Sequence, residues 1–322
     1  MKKIISLICV FAFVFTLAAC GSSAPAASSD DGSFVVGICQ LVQHPALDAA
    51  TEGFKAALTE SFGDKVTFLE QNASGDSAAC ATICNQFVSE EVDLIMANAT
   101  PALQAAAAAT NQIPILGTSV TDYGTALGVD DWTGVSGTNI SGTSDLAPLD
   151  GQVEIIKELF PDARTVGMLF CSGEPNSLFQ VGVVQPLLET MGYEVSTYTF
   201  ADSNDVSAVT AAACSDCDLL YVPTDNTAAS CAEAINNVAL NAGVPIVTGE
   251  EGLCAGCGVA TLSISYFDLG FATGQMAAEI LNEGADVSSM EVRFAPQFTK
   301  KYNPTICDAL GITPPDDYEM IG

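Results

Sequence analysis

The sequence predicts an α/β protein built as two similar lobes, each a parallel sheet flanked by helices. Three observations predict it. Strand-like and helix-like segments alternate along the chain, the pattern of parallel sheets covered by helices. The alternation restarts near the middle. And two stretches carry nearly the same text, "DLIMANATPALQ" from Asp93 to Gln104 and "DLLYVPTDNTAAS" from Asp218 to Ser230. Each begins with an aspartate, runs through an apolar strand, breaks into a polar turn and enters an alanine-rich segment. Each is followed by a similar strand, "IPILGTS" or "VPIVTGE".

At the amino end, "MKK" precedes the apolar run "IISLICVFAFVFTL", and "LAAC" closes it at Cys20. So short a run, with small residues before a cysteine, reads as an export signal over residues 1–20 rather than a spanning helix. The "LAAC" ending resembles a bacterial lipoprotein signal, in which Cys20 is lipidated. Residues 21–33 are rich in Ser, Ala and Asp and read as a flexible tether.

The first lobe then begins with "SFVVGICQ" as a strand. "PALDAATEGFKAALTES" has helical spacing, with Ala49, Phe54 and Leu58 among its inward positions. "KVTFLEQ", "DSAACATICNQFVSE" and "VDLIMANA" follow as strand, helix and strand, and "PALQAAAAAT" and "IPILGTS" as helix and strand. After "WTGVSGTNI" the copy runs "ARTVGMLF", "FQVGVVQPLLETMG", "YEVSTYTF", "DLLYVPTD", "AASCAEAINNVALNAG" and "VPIVTGE". Gly37 and Gly167, Asp93 and Asp218, and Pro114 and Pro245 occupy corresponding places. This is a duplication of whole lobes rather than a solenoid repeat.

The formal charge is −30 over 322 residues, and loss of Lys2 and Lys3 with a signal takes it to about −32. Nucleic acid and other polyanions are poor partners for such a surface. Of twelve cysteines, ten lie beyond Cys9 and Cys20. "CSDC" (Cys214, Cys217) and "CAGC" (Cys254, Cys257) suit free thiols, a disulfide, a redox pair or half a metal site. Cys80 and Cys84, four apart on a helix, do not easily close a disulfide. With His44 as its one histidine, the chain offers few zinc ligands, and no metal or other cofactor is expected.

In open parallel sheets ligands bind outside the carboxyl ends of the strands. Here those ends are polar: Gln40 to Ala46, Ala99 to Pro101 and Gly117 to Ser119 in the first lobe, and Cys171 to Ser177, Pro223 to Thr227 and Thr248 to Gly252 in the second. Two such edges turned toward each other make a cleft. Thr100-Pro101 reads as a helix start whose free N–H groups suit a carboxylate. Asp225, at a strand end, suits an ammonium. Asn176, Ser177 and Asn226 suit orientation of a small polar ligand, and His44 and Tyr266 the framing of its side chain. The motifs "GxSxG", "HExxH" and "GxxxxGK[ST]" are absent, and no catalytic residue is nominated.

The lipoprotein-like signal, the duplicated lobes and the stretches "HPALDAA", "ATPALQAAA", "EPNS", "VPTDNT" and "SYFDLGFATGQMAAEIL" together resemble the substrate-binding lipoproteins of ABC importers, in the branch that includes tryptophan and tyrosine uptake. The likeness spans nearly all of the chain beyond the signal. It departs from the branch at Gln43, where an acidic residue is common, and in "CSGEPNS", where "SSEANS" is common. The resemblance implies a periplasmic-binding-protein type I fold with crossover strands at a hinge, "GVSGTNI" being the first crossing, "GVATLSISYF" the return and "EVRFAPQF" the last. The lobes implied are residues 34–138 with 264–290 and residues 139–263 with 291–322. It further implies a monomer, lipid-anchored outside the cytoplasmic membrane, that binds an amino-acid-like ligand, aromatic in this branch, and hands it to an ABC permease. The candidate pocket comprises Gln40, His44, Thr100, Pro101, Ser119, Asn176, Ser177, Thr224, Asp225, Asn226, Thr227, Glu250, Tyr266 and Asp268. Two other readings stand beside it: a surface receptor without transport, and a racemase-like enzyme. The second rests on the likeness of "VPTDNTA" to a "PCNTA" turn, but Asp225 stands at the thiol position and Thr100 at its mate.

Overall fold

The structure, a computed structural model, describes residues 32–321. The expected signal over residues 1–20, lipidation at Cys20 and all but the end of the expected tether lie outside the described residues. No helix among those described is long and apolar enough to cross a membrane.

The first lobe opens with β1 (Phe34–Gln40), α1 (Pro45–Phe62), β2 (Val66–Asn72), α2 (Ser77–Ser89), β3 (Leu94–Asn98), α3 (Thr100–Ala109), β4 (Ile115–Val120), α4 (Tyr123–Leu127) and β5 (Ile140–Ser144). The second comprises α5 (Leu149–Leu159), β6 (Thr165–Cys171), α6 (Pro175–Thr190), β7 (Glu194–Phe200), α7 (Val206–Asp216), β8 (Leu219–Val222), α8 (Asn226–Ser230), α9 (Ala232–Ala242), β9 (Ile246–Thr248), α10 (Glu251–Cys257) and β10 (Ala260–Ser263). The chain then returns to the first lobe with α11 (Tyr266–Glu283) and β11 (Arg293–Phe294). It ends in the second with β12 (Thr299–Tyr302), α12 (Pro304–Leu310) and β13 (Glu319–Met320).

The duplication is topological as well as textual. One sheet runs β11-β5-β4-β3-β1-β2 and the other β13-β12-β10-β9-β8-β6-β7, so β2-β1-β3-β4-β5 and β7-β6-β8-β9-β10 are the same order. Pairing is parallel throughout, except for β12 against β10. Helices bury both faces of each sheet, which is why the central strands read as continuous apolar runs. Phe87 and Leu103 cover one face of the first sheet, and Phe54, Leu58 and Met276 the other. The repeated aspartates have a repeated task. Asp93 accepts Val35 N at 2.7 Å, and Asp218 accepts Arg164 N at 2.8 Å and Thr165 N at 2.9 Å, so each pins the start of the neighbouring strand. The repeated glycines match too: a Cβ on Gly37 would strike the Phe87 ring and one on Gly167 would strike Leu220, each at 2.7 Å.

Strand pairing carries two segments across the lobe divisions expected from the sequence. Ile140 pairs with Ile115 and Ser144 with Val120, so residues 140–144 stay in the first sheet beyond the expected division at residue 138. Arg293 and Phe294 pair with Thr143 and Ser144, so β11 also belongs to the first sheet. The crossings are therefore the links at 145–148, 264–265 and 295–298. The ten cysteines of the described residues are free thiols, seven of them buried.

Candidate functional site

The carboxyl edges of the two sheets meet. His44 Nε2 lies 3.2 Å from Asn226 Oδ1, bonding one lobe to the other, and a Cβ on Gly252 would touch Pro45 Cβ at 3.2 Å. Leu41 and Pro101 of the first lobe share a cavity of about 300 Å³ with Glu174, Asn226 and Thr227 of the second.

On the first-lobe edge, strand order ranks the polar side chains in a row: Asp145 after β5, Ser119 in β4, Thr100 after β3 and His44 after β1. Ser119 of this row and Ala99, just before Thr100, are bent out of ordinary strand geometry. Ala99 has φ 96° and Ser119 φ 54°, conformations that cost free energy in a non-glycine residue and tend to persist at functional sites. Pro101 stands in the first turn of α3, whose first-turn N–H groups have no partner within the helix. Thr100 Oγ1, Ser119 Oγ, Asp145 Oδ1 and His44 Nδ1 are all buried without a hydrogen-bond partner. Burial lowers the His44 pKa and so keeps its imidazole neutral. Tyr266, at the start of α11, donates to Asp145 Oδ2 at 2.9 Å. Burial raises the Asp145 carboxyl to about 6, with the Tyr266 and Thr121 hydroxyls opposing.

The second-lobe edge is organised by Glu174, which the sequence reading did not nominate. Its Oε2 accepts Asn176 Nδ2 at 3.0 Å, Asn226 N at 3.0 Å and Asn226 Nδ2 at 2.7 Å, and its Oε1 accepts Thr227 N and Oγ1, each at 2.7 Å. Asn176 Nδ2 also donates to the Thr224 carbonyl at 3.0 Å, leaving Asn176 Oδ1 buried and partnerless. Asp225 is fully engaged: Oδ1 accepts Ala228 N at 2.8 Å as the N-cap of α8, and Oδ2 accepts Cys171 N and Ser177 Oγ, each at 2.7 Å. Burial and then the nearby Glu174 push it up to about 8. Both oxygens of Asp225 are already bonded inside the second lobe, so the ammonium role expected of it would compete with those bonds. Glu250 caps α10 through Gly252 N and Leu253 N, and burial pushes it to about 7. None of Asp145, Glu174, Asp225 and Glu250 joins a salt bridge among the described residues.

The structure thus joins His44 to Asn226 across a polar seam and Asn176 to Asn226 through Glu174. Thr100 and Ser119 lie along the same first-lobe edge as His44, and Tyr266 lies beside Asp145. Ser177, Thr224, Asp225, Thr227 and Glu250 brace the seam with hydrogen bonds made inside the second lobe. Gln40 is spent within the first lobe, donating to the Val42 carbonyl and Asp48 and accepting Thr51 Oγ1. Asp268 lies outside the seam, exposed in the first turn of α11, because helical spacing turns it away from Tyr266. Asp145 was missed because it follows "SGTS", which carries no apolar run to mark a strand end. Glu174 had a signal: an acid just before the helix-opening "PNS".

A curated protein named a tyrosine-binding protein, from Clostridioides difficile, is 37% identical over 260 residues, covering 80% of this chain and 75% of that one. A solved structure from Streptococcus pneumoniae, an ABC domain in complex with L-Trp, superposes with a TM-score of 0.84 at 32% identity, covering 88% of this chain and 96% of that one. A ligand-free, open substrate-binding protein with adhesive properties from Clostridium difficile superposes with a TM-score of 0.68 at 36% identity, covering 89% and 99%. All three likenesses agree with two lobes of the periplasmic-binding-protein type I kind. Residues 35–319 match the family model described as ABC transporter substrate binding protein, and the chain belongs to that family.

Proposed function

We propose that this protein is the receptor of an ABC importer and binds an aromatic amino acid between its lobes. The observation that carries the reading is the row of buried polar atoms without partners, contributed by both lobes along one seam. A buried polar group without a hydrogen bond costs about 1–3 kcal/mol. Five of the seven such atoms among the described residues (His44 Nδ1, Thr100 Oγ1, Ser119 Oγ, Asp145 Oδ1 and Asn176 Oδ1) lie on the facing edges, which supports a ligand site there. The names of the relatives, tyrosine-binding and L-Trp-bound, supply the ligand class. The closer superposition on the L-Trp complex than on the open, ligand-free structure, despite lower identity, supports a closed conformation here.

Strand order supports an assignment of the ligand's ends. Asp145 and His44 lie three strand spacings apart, roughly 14 Å, the reach of an amino acid with a ring and a hydrogen bond at each end. The ammonium goes to Asp145 Oδ1, the unpaired carboxylate oxygen. The carboxylate goes to Thr100 and Ser119 with the N–H groups opening α3. The side chain points toward His44 and Asn176. The site binds without catalysing, and Cys20 anchors the protein outside the membrane, where it delivers its ligand to the permease.

The test is isothermal calorimetry with L-tryptophan, L-tyrosine and L-phenylalanine beside sugars and nucleosides, run on the wild type and on Asp145→Asn. Aromatic amino acids should bind, and the variant should lose about 2–5 kcal/mol, as when a buried charge pair loses one partner. Heat from a sugar or nucleoside alone would discard the amino-acid reading.

A further inference from the structure

The side-chain end of the seam is wired to present hydrogen-bond acceptors only, and the wiring starts at Glu174. Every group bonded to its carboxylate is a donor: Asn176 Nδ2, Asn226 N and Nδ2, and Thr227 N and Oγ1. The Asn226 amide therefore points its nitrogen at Glu174 and its oxygen at His44. An imidazole nitrogen facing a carbonyl oxygen at 3.2 Å must carry the proton, so His44 is the Nε2–H tautomer. Its Nδ1 is then a bare lone pair, partnerless on a side chain only 6% exposed. Asn176 is oriented by the same carboxylate, and its Oδ1 is the second bare acceptor, on a side chain 3% exposed. One acceptor comes from each lobe.

We infer that Glu174 sets donor selectivity: acting through Asn226, His44 and Asn176, it makes the seam accept an aromatic side chain bearing an O–H or N–H and reject a bare ring. This deepens the aromatic amino-acid reading and rests on it. Tyrosine and tryptophan each carry such a donor, a phenol O–H or an indole N–H, and phenylalanine carries none. A bare ring would leave both acceptors buried and unpaired, and a site built to bond a ligand group discriminates strongly against the analogue that lacks it. Glu174 is a positioning residue here and does not itself touch the ligand.

The chain has a single histidine, so its imidazole is readable without assignment. The protein, purified without a histidine tag and labelled with ¹⁵N-histidine, is titrated with L-tyrosine, L-tryptophan and L-phenylalanine, and affinities are taken by calorimetry. The expected spectrum is a neutral Nε2–H tautomer whose Nδ1 resonance moves on adding the donor-bearing ligands. The expected affinity for at least one of them exceeds that for phenylalanine by about 10- to 100-fold. In Glu174→Gln, the new amide lets Asn226 turn over, the tautomer should swap to Nδ1–H, and the ratio should fall toward one. Equal affinities for all three amino acids, or an Nδ1–H tautomer in the wild type, overturn the selectivity while leaving the aromatic reading intact. Binding of none of the three overturns both. Should Glu174→Gln not fold, the wild-type tautomer and ratio still decide.

Discussion

Asp145 and Asp225 are both buried aspartates just beyond strand ends, and their hydrogen bonds give them opposite tasks. Asp225 has a donor on each oxygen, from Cys171 N, Ser177 Oγ and Ala228 N. Replacing it by alanine removes a helix cap, worth about 1 kcal/mol, and strands buried donors at about 1–3 kcal/mol each. Asp225→Ala is therefore expected to lower the free energy of unfolding by several kcal/mol, measured in urea without ligand. Asp145→Ala strands the Tyr266 hydroxyl and should lose less stability than Asp225→Ala while reducing ligand affinity; an equal loss of stability in the two variants would merge their roles. The sequence made Asp225 conspicuous and left Asp145 invisible. "TDNTA" stands at a legible strand end, yet the same letters are a helix-capping pattern, and that competing use of the carboxylate wins. The sign of the pH dependence follows from burial. Asp145, Glu250 and Asp225 stand near 6, 7 and 8, above their ordinary 3.8, 4.5 and 3.8. Folded carboxylates that hold protons more tightly than unfolded ones contribute stability that is full below about pH 4 and lost as pH rises toward 8. The ligand-free protein should accordingly gain stability on acidification from pH 8 to pH 5, followed by urea midpoints, until other carboxylates protonate.

Among the elements, α1 and α11 are the pair whose fit leaves least room. A Cβ on Gly270 would land on the Ala50 carbonyl and one on Gly53 on the Phe267 carbonyl, while one on Gly274 would sit 2.6 Å from Phe54 O. Backbone meets backbone here, so neither side can move a rotamer aside. Gly270→Ala should cost about 1–3 kcal/mol of stability by overpacking, read from urea denaturation. An unchanged midpoint would mean that the helices can slide apart freely. This crossing holds α11, and with it Tyr266, against the first lobe, so a shift of α11 moves a residue of the seam. Most elements were legible because helices on both sheet faces force apolar runs, as in "FVVGICQ" and "TVGMLFC". Among the strands that were not legible, β5 reads "ISGTS" and is polar and glycine-bearing. Pairing with β4 and β11 makes it a strand, and no periodicity of its own could reveal that.

At the scale of the whole molecule, the proposed ammonium site lies on the links between the lobes. Asp145 lies on the first crossing between lobes, and Tyr266 opens the helix that follows the second. The bond from Tyr266 Oη to Asp145 Oδ2 therefore ties two crossings together at 2.9 Å. An ammonium at Oδ1 would favour the charged carboxylate and strengthen that bond, giving the closed form the differential affinity that drives closure. Binding a cation to a carboxyl near 6 releases a proton below that pH, so affinity should fall by up to tenfold per pH unit under about pH 6. Tyr266→Phe deletes a donor that helps hold Asp145 ionised, so its carboxyl rises further and the midpoint of the affinity profile moves to higher pH. Scattering should accompany the shift: the wild type contracts on saturation with an aromatic amino acid, whereas Tyr266→Phe contracts fully only at more alkaline pH. An affinity profile with the same midpoint in both proteins would uncouple the tyrosine from the site. A profile flat through pH 6 in the wild type would move the ammonium away from Asp145 altogether.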